Sequence, residues 1–161
     1  MRRGPRHVAP LALLALLTAL AARAEEAARE PLEHFPRAEL SIESGAHVHR
    51  FSVWVAATEP RRNQGLMFVK ALPPAHGMVF VFPTPQVASF WMKNTFIPLD
   101  LLFVAPDGRV IRAVENAEPQ SLATISSMGL VSGVVELAGG SCARLGIHSG
   151  DRVRSTAFGS H

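Results

Sequence analysis

The stretch SFWMKNTFIPLD, residues 89–100, sets a lysine, an asparagine and an aspartate among one Trp, one Met, two Phe and an Ile. An indole beside hydroxyl, amide and ammonium groups is a workable platform for a sugar ring or another flat polar ligand. The ring buries area while its neighbours satisfy the ligand's hydroxyls. Lys93 is one of only two lysines in the chain, and a charge inside an apolar run needs a counter-charge or a ligand to offset its desolvation. Arg62 supplies a guanidinium that can hold a carboxylate or phosphate bidentately, or tie Asp100, Glu115 or Glu136 into a structural network. The expected ligand-binding set is therefore Arg62, Trp91, Lys93, Asn94 and Asp100, with no residue assigned to catalysis. A second chemistry is open to the same residues: a buried Lys93 with a lowered pKa acts as base and Asp100 orients it, as in a small cofactor-independent hydrolase or lyase. The plainest alternative makes Lys93 and Asp100 an ordinary ion pair at a strand end, worth roughly 0 to 1 kcal/mol.

Other reactive residue types form weaker patterns. His47 and His49 share a strand face, but no third ligand of the right type lies nearby, and catalytic zinc typically takes three ligands from protein. Cys142, the single cysteine, excludes an intrachain disulfide framework. It lacks a legible base partner and reads as a structural thiol rather than a nucleophile. Walker, Rossmann and nucleophile-elbow patterns do not occur, so neither cofactor nor metal is expected.

Where these residues sit in the cell is set by the first two dozen positions. MRRGPRH is a basic lead, residues 8–22 are an uncharged apolar run, and Ala22-Arg23-Ala24 has the small-x-small form of a signal-peptidase site. Residues 1–24 are predicted to be a signal peptide, too short in its apolar run for the roughly 20 residues of a spanning helix. The protein is then exported, periplasmic or secreted, with no stable membrane insertion after cleavage. Four of the sixteen basic side chains and none of the thirteen acids fall in this segment, leaving twelve bases against thirteen acids, a formal charge of −1. Such a balance lacks the electrostatic footprint of a nucleic-acid binder, and nucleic acid is rejected as a partner.

Residues 25–37 are charged, Pro-broken and weakly patterned, and are expected to be a flexible tether. The domain that must position the candidate site spans 38–158. AELSIES and HVHRFSVWVAA, parted by Ser44-Gly45, predict an opening hairpin. Thr58 and Pro60 mark the start of a short helix. Further strands are expected at 77–82, 87–93, 99–105, 109–115, 134–138 and 151–157, and SCARLG makes a second short helix with Ser141 as its N-cap. Many short strands with little helix predict a mainly-β single domain, a compact sandwich or barrel with one or two short helices. In the strand expected at 87–93, Phe90 and Met92 point to the core while Ser89, Trp91 and Lys93 point the other way.

Arg62-x-x-Gly65-Leu66-Met67, GMVFVF, SFWMKNTFIPLDLLFV, the Asp107-Gly108-Arg109-Val110 turn, NAEP and LGIHSGDRV together resemble domain-of-unknown-function family 192 of bacteria and archaea. The resemblance spans about 40–153, and WMKNT-x-IPLD is its most specific part. It departs at Val69, where the family usually carries a basic residue. The family implies a single mainly-β domain, often exported, and transfers no mechanism. The reading that emerges is a monomeric, non-catalytic binding or accessory module of the cell envelope for a small polar molecule or glycan. The lysine-based enzyme is one alternative, and a structural partner of another envelope protein, docking through Trp91, is the other.

Overall fold

The structure, a computed structural model, describes residues 29–158 together with Leu20, Arg23 and Ala24. Most of the expected leader, and 25–28 of the expected tether, lie outside the described residues. The chain divides into a unit of residues 1–30 and a compact unit that begins at Pro31. The tether does not run to 37: Leu32–His34 form a 3-10 turn, Phe35 is buried in the core, and Val55 N–H donates to the Pro36 carbonyl. A single large aromatic accounts for this, because burying a Phe contributes about 1.5 to 3 kcal/mol and anchors the residues beside it.

Seven strands follow: β1 (Arg37–Ser44), β2 (His47–Ala56), β3 (His76–Phe90), β4 (Leu99–Val104), β5 (Val110–Ala117), β6 (Ile125–Ala138) and β7 (Arg152–Ser155). Two short helices, α1 (Glu59–Gln64) and α2 (Ser141–Leu145), accompany these strands among the described residues from 29 onward. The strands make one sheet in the order β5-β4-β6-β3-β2-β1-β7, and only β2 and β3 pair in parallel. That sheet curls on itself. Its two outer strands meet through an Arg109↔Arg152 bridge and through bonds from Val110 N–H to Asp151 O and from Val153 N–H to Gly108 O, each 2.8 Å. The protein is thus mainly β, a curled seven-stranded sheet with two short helices.

Two apolar clusters follow from strand alternation. Every strand contributes to the first, through residues such as Leu40, Val53, Val79, Leu102, Val110, Val135 and Val153, so it fills the inside of the curl. The second lies on the convex face of β3, β4 and β6, with Met78, Phe80, Leu101, Phe103 and Val134, and is covered by Phe35, Leu66 and Met92. Strand β4 is buried along its whole length, which explains its unbroken run LDLLFV: a strand covered on both faces has no solvent side to make polar.

Three local expectations change. The strands expected at 77–82 and 87–93 are one strand, β3, with register irregularities after Val81 and Val87, and the chain leaves the sheet at Phe90. Strand β6 begins at Ile125, well before the expected 134, since its outer half is polar and pairs with the outer half of β3. Helix α2 is preceded by Gly140 at φ 78°, and no side-chain cap comes from Ser141.

Candidate functional site

A groove of about 420 Å³ opens on the convex face, between the segment from Arg62 to Met67 and the outer part of β3. Its volume falls in the range of small-ligand pockets. One wall is built by the end of α1. Gly65, at φ 51° and ψ −140°, closes the helix and stands 3.2 Å, measured from the position of a Cβ, from the Phe80 ring. A side chain there would be strained by the backbone and pressed against that ring. Arg62 braces the wall: its Nη1 donates to the carbonyls of Ala57 and Val81, the latter at 3.1 Å, which joins helix to sheet.

The opposite wall is the end of β3 and the turn after it. Phe90 packs edge-on against Phe80 at 4.9 Å and against Phe103 at 6.0 Å. Trp91 is 53% exposed, and the next residue, Met92, is 1% exposed. The turn is held by backbone bonds: Met92 N–H to Ser121 O, Thr95 N–H to Met92 O, Phe68 N–H to Asn94 O and Gln120 N–H to Thr95 O. Asn94 sits at φ 55°, a left-handed conformation that asparagine tolerates better than most residues. Lys93 Nζ lies 5.7 Å from the centre of the Trp91 ring, within reach of a cation–π attraction.

The floor carries the most unusual group. Glu136 lies on the convex face of β6, paired in register with Met78 of β3 and Leu101 of β4. It lines the groove, is 5% exposed, and its Oε2 has no hydrogen-bond partner. Burial pushes its carboxyl up to about 8, so the group is largely protonated at neutral pH. A buried polar atom left without a partner costs about 1 to 3 kcal/mol. An orphan at the bottom of an open groove is placed for a ligand atom or a water to complete it.

The five residues expected from sequence divide. Arg62 and Trp91 line the groove, and Lys93 touches the Trp91 ring without lining it. Asn94 belongs to the turn behind the wall. Asp100 is elsewhere. On β4 it alternates with Leu99 and Leu101, so it faces inward with Leu102 and Val104, on the opposite side of the sheet from Glu136. There it is fully buried and accepts three backbone N–H bonds, from Asn116 (2.8 Å), Gly140 (3.1 Å) and Cys142 (2.7 Å). Asp100 therefore fastens the end of β5 and the start of α2, and cannot join Lys93 in a groove-side base pair. The Cys142 thiol is buried too, and burial together with the neighbouring Asp100 carboxylate pushes its pKa up, away from the thiolate.

Sequence reading missed Glu136 as a site residue. The available signal was one carboxyl in the apolar run VVELA, which strand alternation alone could not assign to a groove rather than to solvent. His47 and His49 stack at 6.2 Å, and among the described residues no three His, Cys, Asp or Glu are grouped to hold a metal. A larger cavity of about 540 Å³ lies between β1, β7 and the β4–β5 turn. Two of its three arginines are engaged within the protein, Arg152 with the Asp107 carbonyl and Arg154 with Glu43, and no buried polar atom among its lining residues lacks a partner.

The family model of domain-of-unknown-function family 192, described as an uncharacterised ACR, matches residues 40–155. The chain belongs to this family. A solved structure from Sinorhizobium meliloti 1021, described as a candidate transcription regulator, is similar to this family member at 37% identity and a TM-score of 0.74. The match covers 76% of this chain and 96% of that one. A protein of unknown function from Novosphingobium aromaticivorans DSM 12444 is similar at 36% identity and a TM-score of 0.75, covering 79% of this chain and 91% of that one. No curated protein matches the chain.

Proposed function

We propose that this family member is an exported, non-catalytic binding module that holds a small polar ligand in the convex-face groove. The supporting observation is the buried Glu136 carboxyl, whose Oε2 lacks a partner at the groove floor. A water-accessible groove that strands one polar atom at its floor, beside an indole and a guanidinium, has the composition of a recognition site: an apolar surface with few placed polar groups. The other charged side chain lining the groove, Arg62, is a guanidinium suited to holding an anion. Export follows from the basic lead, apolar run and cleavage pattern of residues 1–24, and Glu25 is the expected first residue of protein recovered from the envelope fraction. The regulator description of the Sinorhizobium relative stays with that protein, because residues 25–161 carry twelve bases against thirteen acids.

Titration of the protein with a panel of sugars, amino acids and organic acids, followed by intrinsic Trp fluorescence and calorimetry, tests the reading. A ligand should bind with loss of at least tenfold in affinity on Trp91→Ala, and the half-exposed indole should leave the unfolding midpoint almost unchanged when removed. A ligand whose affinity is indifferent to both Trp91→Ala and Glu136→Ala would place binding outside the groove and refute the proposal.

A further inference from the structure

Both hydrogen bonds of the Arg62 guanidinium run from Nη1, to the Ala57 and Val81 carbonyls. They fix the fork by one corner and leave its Nε–Nη2 edge without a hydrogen bond to the described residues. Two parallel N–H donors on a held plane match a carboxylate. A guanidinium on the groove wall disfavours an ammonium ligand and favours an anion. The wall of Phe82, Phe90 and Trp91 favours a ring, and the orphan Oε2 of Glu136 calls for a hydroxyl.

We infer that the groove takes an acidic sugar of the uronate type, its carboxylate on the Nε–Nη2 edge of Arg62, its ring against Trp91 and a hydroxyl at Glu136 Oε2. The inference rests on the binding reading above and names its ligand class. It also carries a proton linkage. The charged group that shares the groove with Glu136 is Arg62 on the α1 wall; the residues paired with it on β3 and β4, Met78 and Leu101, are uncharged, and Asp100 faces the other side of the sheet. Burial already holds Glu136 protonated up to about pH 8, and an anion beside it favours that form further. Ionised Glu136 would set carboxylate against carboxylate, so affinity falls roughly tenfold for each pH unit above its pKa.

The test uses the full chain, with D-glucuronate and D-glucose as probes, by calorimetry at pH 6.5 and pH 9.0. Glucuronate should bind at least tenfold more tightly than glucose at pH 6.5 and weaken about tenfold at pH 9.0. Glu136→Gln, which keeps an amide donor at the floor, should bind glucuronate at pH 6.5 and lose the pH dependence. Arg62→Lys should lose at least tenfold; because it also loosens the clamp on Ala57 and Val81, the Glu136→Gln and glucose arms decide the matter if that variant misfolds. Equal binding of both sugars in the groove would overturn the acidic-ligand inference and leave the binding module standing. Failure of both sugars overturns the inference, and the binding module falls with it only if the wider panel also leaves the groove untouched.

Discussion

Replacing Asp100 separates a structural carboxylate from a ligand-binding one. Its two oxygens accept N–H groups from Asn116, Gly140 and Cys142 at 2.7 to 3.1 Å with no exposed surface. Hydrogen bonds to a charged group contribute about 1.5 to 3 kcal/mol each. Asp100→Ala strands all three donors, a loss of roughly 4 to 9 kcal/mol before relaxation, and water entering the shortened site recovers part of it. The expected net cost is at least about 3 kcal/mol, a fall in Tm of about 10 °C or more for a domain of this size. Asp100→Asn keeps one acceptor oxygen but turns an N–H toward the Cys142 donor, or toward the Asn116 and Gly140 donors if the amide flips, so about 2 kcal/mol is expected. Urea unfolding followed by far-UV circular dichroism measures both, and a shift in midpoint at constant slope identifies a change in stability. If both variants stay within 0.5 kcal/mol of the parent, Asp100 does not hold β5 to α2 and returns to the ligand-binding candidates.

Glu136 makes stability depend on pH with an unusual sign. Its folded pKa, about 8, lies above the ordinary carboxyl value of 4.5, so the folded state binds the extra proton. Stability is then full below about pH 4.5 and declines as pH rises to about 8, by up to ~5 kcal/mol at 1.36 kcal/mol per unit. Urea midpoints at pH 5 and pH 8 should show this decline, Glu136→Gln should abolish most of it, and an unchanged slope in that variant would refute the assignment. Met92→Ala should cost about 2 to 5 kcal/mol in the same assay, since Met92 is buried under the groove wall; a cost below 1 kcal/mol would show that the turn does not seal the convex core. The buried, pKa-raised Cys142 should resist a thiol reagent in the native state and react only on unfolding, and prompt native labelling would contradict its placement.

Local pattern determined a large share of this protein. Alternating runs marked the opening hairpin, the apolar LDLLFVA run marked a strand, and Thr58 with Pro60 marked α1, all because side-chain period and turn chemistry are properties of neighbouring residues. The motif around residues 89–100 identified the family, and its core and surface members divided much as alternation predicts, with Met92 buried and Trp91 exposed. Tertiary structure alone decided which polar residues meet. Asp100 and Glu136 are both single carboxyls in apolar strands, indistinguishable by composition. Antiparallel register between β4 and β6 pairs Asp100 with Leu137 on the inner face and Glu136 with Leu101 on the convex face. One carboxyl thereby meets three backbone donors and the other an open groove. That outcome depends on register and on the hand of the curl, which are set by contacts between residues far apart in the chain, and no local window of sequence contains them.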